Sequence, residues 1–343
     1  MIKHKSQEYL GWGDLSRVVA IFGVVLIHSC GEIFYQYGKT PIGDWLSANF
    51  LDSLARFSVP LFVMLSGALL LKSGAELITF TALVRRISKV FFPLLTWSII
   101  YLFYVSYFNG EVIDWYSLLK QPAMYHLWFV YMIIGLYIFL LVFQILFEAI
   151  LTKRNLQIYF LMIWLALTSL PIYLQIPMLS LLQQNSFFGY GGYFLIGAII
   201  ASSPRDRIPT SLWILIFIIS VFATFGLTWW FSEEAGSPVA KSYQYFSFNV
   251  FICAVAAFTL FTRVKIKEHY KKTLRWIGDK SFLIYFVHVL VLEQVRYSTL
   301  ANTISQQTHA LLTILIIAIA TFAISLMLAT FIRLVPGTQS VFG

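Results

Sequence analysis

Apolar runs dominate this chain and recur along its whole length, with short polar segments between them. A run of about 20 apolar residues is long enough to cross the hydrocarbon core of a bilayer as a helix. The pattern therefore predicts an all-α integral membrane protein, a bundle of about ten transmembrane helices, with residues 1–343 forming one membrane domain. The predicted spans cover residues 15–34, 47–71, 87–108, 124–147, 156–174, 186–202, 210–231, 243–262, 281–298 and 309–334.

The first predicted span carries ionisable side chains on one face. Arg17 and His28 are eleven residues apart. That separation is about 20° more than three full helical turns and a rise of about 16 Å. Asp14 and Glu32 extend the same stripe at i−3 and i+4. Because ionisable groups are costly inside a bilayer, the stripe predicts a functional site that runs from one membrane face toward the middle.

Composition and charge agree with a membrane location. The chain is 59% apolar and 11% charged, with a mean hydropathy of +0.79. If ten spans alternate from a cytoplasmic N-terminus, 19 of the 24 Lys and Arg residues lie inside. The outer five are Lys39, Arg56, Lys120, Lys241 and Arg296. This positive-inside bias predicts that both termini are cytoplasmic. A cleaved signal peptide is not expected, because His28 interrupts the first apolar stretch.

A group of cations marks the predicted inner face. Arg85, Arg86 and Lys89 begin the third span, and Arg17 lies at a similar depth in the first. Several arginine side chains together suit a polyanionic, phosphate-bearing ligand. The stretch 263–280 is also basic, but cytoplasmic basic segments commonly anchor a membrane protein to its anionic leaflet.

A second polar group lies at the outer depth of four predicted spans. It comprises His28, Glu32, Asp52, Arg56, His126, Trp128, Glu293 and Arg296. The i,i+4 pair Asp52–Arg56 and the i,i+3 pair Glu293–Arg296 can also be structural ion pairs. Their convergence predicts a polar chamber that opens to the outer face and receives a substrate. On span nine, Tyr285 and His288 are expected nearer the inner third, where His288 can also serve as an interhelical hydrogen-bond contact.

Several chemistries have no support in the sequence. It contains no zinc-protease helix motif, no nucleophile elbow, no phosphate-binding P-loop and no nucleic-acid motif. Cys30 and Cys253 both fall within predicted spans, where cysteine is a common small apolar residue. We therefore expect neither a metal site nor a disulfide, and no nucleic-acid partner.

Six segments occur in a fixed order along the chain. They are Asp14–Arg17 with the following spacing to His28, Arg56–Gly67, Arg85–Arg86 followed by Phe92–Leu95, Tyr125–Phe129, Gly192–Gly197 and Ser281–His288. Together they resemble the acyltransferase-3 family of bacterial membrane acyltransferases. One departure is that Arg85 and Arg86 are adjacent, whereas family members often have an arginine-x-arginine pair there.

The resemblance implies a donor, an acceptor and a location. The donor would be a cytoplasmic acyl-CoA, usually acetyl-CoA, and the acceptor a hydroxyl of an envelope glycan or lipid-linked saccharide near the outer face. The location would be the bacterial cytoplasmic (inner) membrane, as a multi-pass protein in contact with the lipid bilayer. The oligomeric state is left open.

The chemistry of acyl transfer then assigns roles to the polar residues. A sugar hydroxyl is a weak nucleophile, so a positioned base must remove its proton, and His28 is the predicted base. Glu32 would orient the His28 ring, with Asp14, Tyr285 and His288 supporting the site. The predicted donor-binding residues are Arg17, Arg85, Arg86 and Lys89. The predicted acceptor-side residues are Asp52, Arg56, His126, Trp128 and Glu293.

Two other functions fit the same composition. A transporter or flippase of a lipid-linked saccharide would use the polar chamber without chemistry, and it would need neither His28 nor acyl-CoA. A membrane receptor or scaffold would need no intramembrane polar stripe at all. The polar stripe through Arg17 and His28 argues against a receptor or scaffold, and a need for His28 and acyl-CoA would distinguish the enzyme from the transporter.

Overall fold

The computed structural model describes residues 11–110, 112–174, 187–203, 208–299, 303 and 307–343. All regular structure in these ranges is helical. The α-helices are α1 (Gly11–Phe34), α2 (Ile42–Ala55), α3 (Ser58–Leu70), α4 (Phe80–Asn109), α5 (Trp128–Ile138), α6 (Leu140–Leu151), α7 (Arg154–Thr168), α8 (Leu170–Leu174), α9 (Phe187–Ser202), α10 (Thr210–Ala235), α11 (Phe248–Arg263), α12 (Glu268–Gly278), α13 (Ser281–Arg296), α14 (Ala310–Leu334) and α15 (Thr338–Phe342). Short 3₁₀ turns occur at Trp115–Leu119, Tyr125–Leu127 and Lys241–Tyr243.

The long apolar helices are those expected of a multi-pass membrane protein. Within the described ranges, seven helical segments are long and apolar enough to cross a membrane. They are Gly11–Phe34, Ile42–Leu70, Phe80–Phe108, Arg154–Leu174, Thr210–Ala235, Lys241–Arg263 and Ala310–Leu334. The pair Tyr125–Ile138 and Leu140–Leu151 makes an eighth if it counts as one span bent by 65°.

The remaining two predicted spans form shorter helices. α9 and α13 have 16 residues each, about 24 Å of helix against a hydrocarbon core of about 30 Å. The predicted total of ten full spans is therefore not established, although every predicted segment contains helix. Both short helices lie largely inside the bundle, where α13 buries most of its side chains.

Helix α1 lies at the centre of the fold, which explains why polar residues along it can meet others from many elements. It packs against α2, α3, α11, α12, α13 and α14. Its buried face includes Ala20, Ile21, Val24 and Val25. The N-terminal end of α1 also contacts the amphipathic helix α12, where Gly278 approaches the Asp14 backbone.

Helices α3 and α9 pack at very short range because each offers a glycine to the other's backbone. A side-chain carbon at Gly67 would overlap the backbone of Phe194, and one at Gly197 would overlap the backbone of Met64. Small residues allow this close approach between membrane helices. The pair of contacts fixes α3, which carries residues of the inner cavity described below.

We expect Gly67→Ala and Gly197→Ala to destabilise the protein by about 1–3 kcal/mol, because a backbone neighbour cannot move aside as a flexible side chain can. Thermal unfolding in detergent measures this effect. The matched control is Gly226→Ala, since Gly226 lies within α10 with no atom within 4 Å of the added carbon. Equal melting temperatures for all three variants would contradict the close-packing argument.

Candidate active site

A cavity of about 700 Å³ opens at the end of the bundle where α1, α4 and α13 begin. We call it the inner cavity. Five cationic side chains and two acidic ones line it, so its wall carries excess positive charge. These side chains are Arg17, Lys72, Arg86, Lys89, Arg275, Asp14 and Asp279. Apolar side chains such as Phe62, Phe129 and Ile133 cover its deeper wall.

Asp14 and Arg17 form an ion pair on the wall of the inner cavity, as their spacing predicts. The Arg17 Nη1 atom lies 2.8 Å from Asp14 Oδ1, and the Arg17 side chain remains 32% exposed against 8% for Asp14. The carboxylate therefore anchors the guanidinium, which still reaches the cavity.

The adjacent arginines of α4 differ in their surroundings. Arg86 and Lys89 line the inner cavity, whereas Arg85 does not. Consecutive helical residues are 100° apart, so one of two adjacent side chains turns away, while residues three apart share a face. The predicted donor group is therefore brought together at Arg17, Arg86 and Lys89, with Arg85 outside it.

The basic stretch 263–280 contributes only part of its charge to the cavity. Arg275 and Asp279 line the cavity wall. Lys280 instead donates to the Trp276 carbonyl at 3.0 Å and lies 4.0 Å above the Trp276 ring. Burial, and then the nearby Arg333 guanidinium, lower the pKa of Lys280. Lys280 thus stabilises the short turn between α12 and α13.

Three histidine rings from three elements meet just beyond the inner cavity. The ring centroids of His28 and His288 are 5.3 Å apart, those of His126 and His288 5.1 Å, and those of His28 and His126 6.5 Å. We call these residues the histidine cluster. His126 and His288 are buried and His28 is half-buried. His288 was expected nearer the inner third, but the structure places it in contact with His28.

Tyr285 separates the inner cavity from the histidine cluster. Its side chain lines the cavity, and its ring centroid lies 5.4 Å from that of His126 and 5.8 Å from that of His288. The Tyr285 hydroxyl donates to the backbone carbonyl of His126. The deep end of the cavity is therefore one side chain away from the histidines.

Glu32, predicted to orient His28, has a different partner. Arg296 Nε lies 3.0 Å from Glu32 Oε2 and Arg296 Nη1 lies 3.5 Å from Glu293 Oε1. Arg296 Nη2 also donates to the backbone carbonyl of His28 at 2.9 Å. In the described ranges no hydrogen bond joins Glu32 to the His28 ring, because Arg296 from α13 competes for the carboxylate. Arg296 thus links the C-terminal ends of α1 and α13.

Asp52 and Arg56 form a second outer ion pair. Arg56 Nε lies 2.6 Å from Asp52 Oδ1, and Arg56 Nη2 donates to Asp52 Oδ2 at 2.6 Å. The guanidinium carbon sits 4.1 Å above the Tyr243 ring. This is the structural pairing that the i,i+4 spacing allowed. Trp128 packs against aromatic rings, and its ring centroid lies 6.0 Å from that of Tyr245.

Sequence reasoning missed several residues that the fold brings to the site. Tyr125 lies 5.2 Å from His28 and Tyr101 lies 5.1 Å from His126, measured between ring centroids. Lys72, Arg275 and Asp279 line the inner cavity. Tyr125 directly precedes His126, which is a usable signal, whereas the others depend on contacts between distant segments.

Among the described residues, no group of three or more His, Cys, Asp or Glu side chains is arranged to hold a metal ion.

Comparison with known proteins decides the family. A family model described as an acyltransferase domain matches residues 10–330, nearly the whole chain. The chain belongs to the acyltransferase-3 family. Searches of curated proteins and of solved structures gave no match. Membership supports a membrane acyltransferase activity and agrees with the multi-pass helical fold.

In this acyltransferase the matched region contains every predicted site residue, from Asp14 to Glu293. It includes both the inner cavity and the histidine cluster, so the two features belong to one family domain.

Proposed function

We propose that this acyltransferase moves an acyl group from cytoplasmic acyl-CoA to a hydroxyl of a cell-envelope saccharide near the outer face. One observation carries the proposal. A cation-lined cavity of about 700 Å³ ends at Tyr285, whose ring packs against His126 and His288. A charged donor bound in this cavity would lie one side chain away from groups able to accept protons.

The inner cavity suits a donor with one polyanionic end and one less polar end. CoA carries phosphates, and arginine and lysine bind phosphate through charge-assisted hydrogen bonds. Arg86 and Lys89 from α4, Arg17 from α1 and Lys72 after α3 supply such donors from three directions. The apolar deep wall, with Phe62 and Phe129, would receive the less polar arm that carries the thioester.

The proposed reaction uses His28 as the general base. A ring nitrogen of His28 takes the proton of the sugar hydroxyl as its oxygen attacks the thioester carbonyl. The C–S bond then breaks, and the proton passes from His28 to the departing thiolate. The products are the sugar ester and free CoA thiol.

The finer identity of the substrates rests on resemblance. Within the family, the sequence resembles the O-acetyltransferase that acts on enterobacterial common antigen. We therefore propose acetyl-CoA as donor, an envelope glycan or lipid-linked saccharide as acceptor, and the bacterial inner membrane as location. These assignments make the protein an O-acetyltransferase that needs no metal.

The experiment that tests the function measures free thiol. Purified protein in lipid nanodiscs is incubated with acetyl-CoA, with and without an envelope glycan preparation, and the glycan is then analysed for ester. We expect glycan-dependent thiol release with matching ester formation. Neither signal would appear if the protein were a saccharide transporter, since a transporter consumes no acyl-CoA.

The two arginines of α4 provide an internal comparison. Arg86→Ala should weaken CoA binding by about 1.5–3 kcal/mol, which is the range for hydrogen bonds to charged groups and corresponds to about 10- to 150-fold in Kd. Arg85→Ala is the matched control and should change the Kd much less, because Arg85 does not line the inner cavity. Isothermal titration with CoA and with pantetheine measures the Kd of each variant for both ligands.

The effect of Arg86→Ala should shrink with pantetheine, which lacks the nucleotide phosphates. Equal losses for Arg85→Ala and Arg86→Ala would indicate a general charge effect. Unchanged affinity in both variants would place the donor elsewhere.

A further inference from the structure

A general base works best when a second group fixes its orientation and the position of its own proton. His28 lacks the partner that spacing along α1 provides, because Glu32 is paired with Arg296. Arg296 Nη2 donates to the His28 backbone carbonyl at 2.9 Å and so does not orient the imidazole ring. A neighbouring side chain must therefore hold the ring.

His288 has the required lone pair. Its Nδ1 lies 2.6 Å from the Tyr285 carbonyl oxygen, which can only accept, so Nδ1 carries the proton. Nε2 is then the basic nitrogen of the neutral ring. This nitrogen is buried without a hydrogen-bond partner among the described residues, in a side chain that is 0% exposed.

Two histidine rings lie close enough to use this nitrogen, His126 at 5.1 Å and His28 at 5.3 Å between ring centroids. The His28 ring is the one that carries the proposed chemistry, and its interplanar angle with His288 is 35°. The terminal torsion of a histidine ring is soft, so rotation of the His28 ring changes which of its atoms faces His288. The hydrogen bond requires a His28 nitrogen within about 3 Å of His288 Nε2. Such catalytic hydrogen bonds commonly tighten only when substrate is bound. The His126 ring lies farther from His28, at 6.5 Å.

We propose that His288 is the positioning residue for His28, an inference that rests on the proposed function. His288 Nε2 accepts the N–H of one His28 nitrogen, which leaves the other His28 nitrogen free to take the hydroxyl proton. The same contact stabilises the imidazolium that forms on His28 during attack. The proton then passes from His28 to the CoA thiolate. His288 keeps its Nδ1 proton throughout and takes up no further proton in the cycle.

The test compares three variants of the full-length protein in nanodiscs. His288→Leu removes the acceptor, His288→Gln keeps a polar side chain that can place an amide oxygen near the Nε2 position, and His309→Leu is the control. His309 is exposed at the start of α14, away from the cluster. The rate of thiol release gives kcat and the KM for acetyl-CoA.

We expect His288→Leu to lower kcat by about 100-fold, with the KM for acetyl-CoA within about twofold of wild type, because only transition-state stabilisation is lost. His288→Gln should recover at least about tenfold of that loss. Equal kcat values for the Leu and Gln variants, a parallel rise in KM, or near-wild-type activity of His288→Leu would overturn the proposal.

Failure of this inference is separable from failure of the proposed function. If His28→Ala is inactive while His288→Leu retains full kcat, only the positioning role of His288 is wrong. If His28→Ala retains full activity, the base assignment fails and the role of His288 falls with it.

Discussion

Replacing His28 by alanine is expected to lower the rate of acyl transfer by about 10²–10⁴-fold, the range typical for the loss of a general base. The methyl group of alanine cannot accept the hydroxyl proton. The variant should still fold, because His28 is only half-buried. The hydrogen bond from Arg296 goes to the His28 backbone carbonyl, which alanine also has. Ester formation on the glycan, measured with acetyl-CoA at saturation, reports the effect.

The control for this experiment is His309→Ala, which removes an exposed histidine outside the cluster. Its rate should match wild type, and the melting temperatures of both variants should agree. Near-normal acylation by His28→Ala would show that another group is the base. His126 or His288, the other members of the histidine cluster, would then be tested in the same way.

The second large effect concerns the side from which the donor enters. In sealed vesicles of known orientation, acetyl-CoA should support acetylation when supplied to the cytoplasmic face and give none from the other face. The glycan should react from that opposite face. The physical reason is charge, because 19 of 24 basic residues are predicted to lie inside, and five cations line the inner cavity.

Vesicles permeabilised with detergent provide the control, since both faces then see both substrates and activity should be independent of orientation. Activity that requires both substrates on the cytoplasmic face would refute transfer through the bilayer. The acyltransferase chemistry would survive that outcome, and the acceptor would then be modified before export.

The sequence predicted the helical segments well because bilayer burial demands a long apolar stretch. It did not predict the 65° bend between Tyr125–Ile138 and Leu140–Leu151. Gly135 lies one turn before the break at Phe139, and the residues on both sides are largely apolar. A hydrophobicity pattern reports that a segment is apolar and does not encode the direction in which its helix runs.

The site was predictable along one helix and much less so between helices. Arg17 and His28 share a face because of the helical repeat, and Arg17 indeed lines the inner cavity. The meeting of His28 with His288, 260 residues later, depends on α1 and α13 lying side by side. The pairing of Glu32 with Arg296 has the same origin. Which residue carries the chemistry stays a prediction until the variants are measured.

Pro93 interrupts the hydrogen bonding of α4 close to the proposed donor-binding residues Arg86 and Lys89. Proline has no N–H, so the Lys89 carbonyl one turn earlier lacks its helical partner and the helix is weakened there. Beyond it, Trp97 is fastened by a 3.1 Å hydrogen bond to the Phe342 carbonyl. The Arg86 segment is thus joined to the rest of α4 at a turn with one backbone hydrogen bond fewer. Product release is often the slow step in enzymes that enclose their substrates, so a substitution at Pro93 is a way to alter release from the proposed donor site without touching the base proposed at His28.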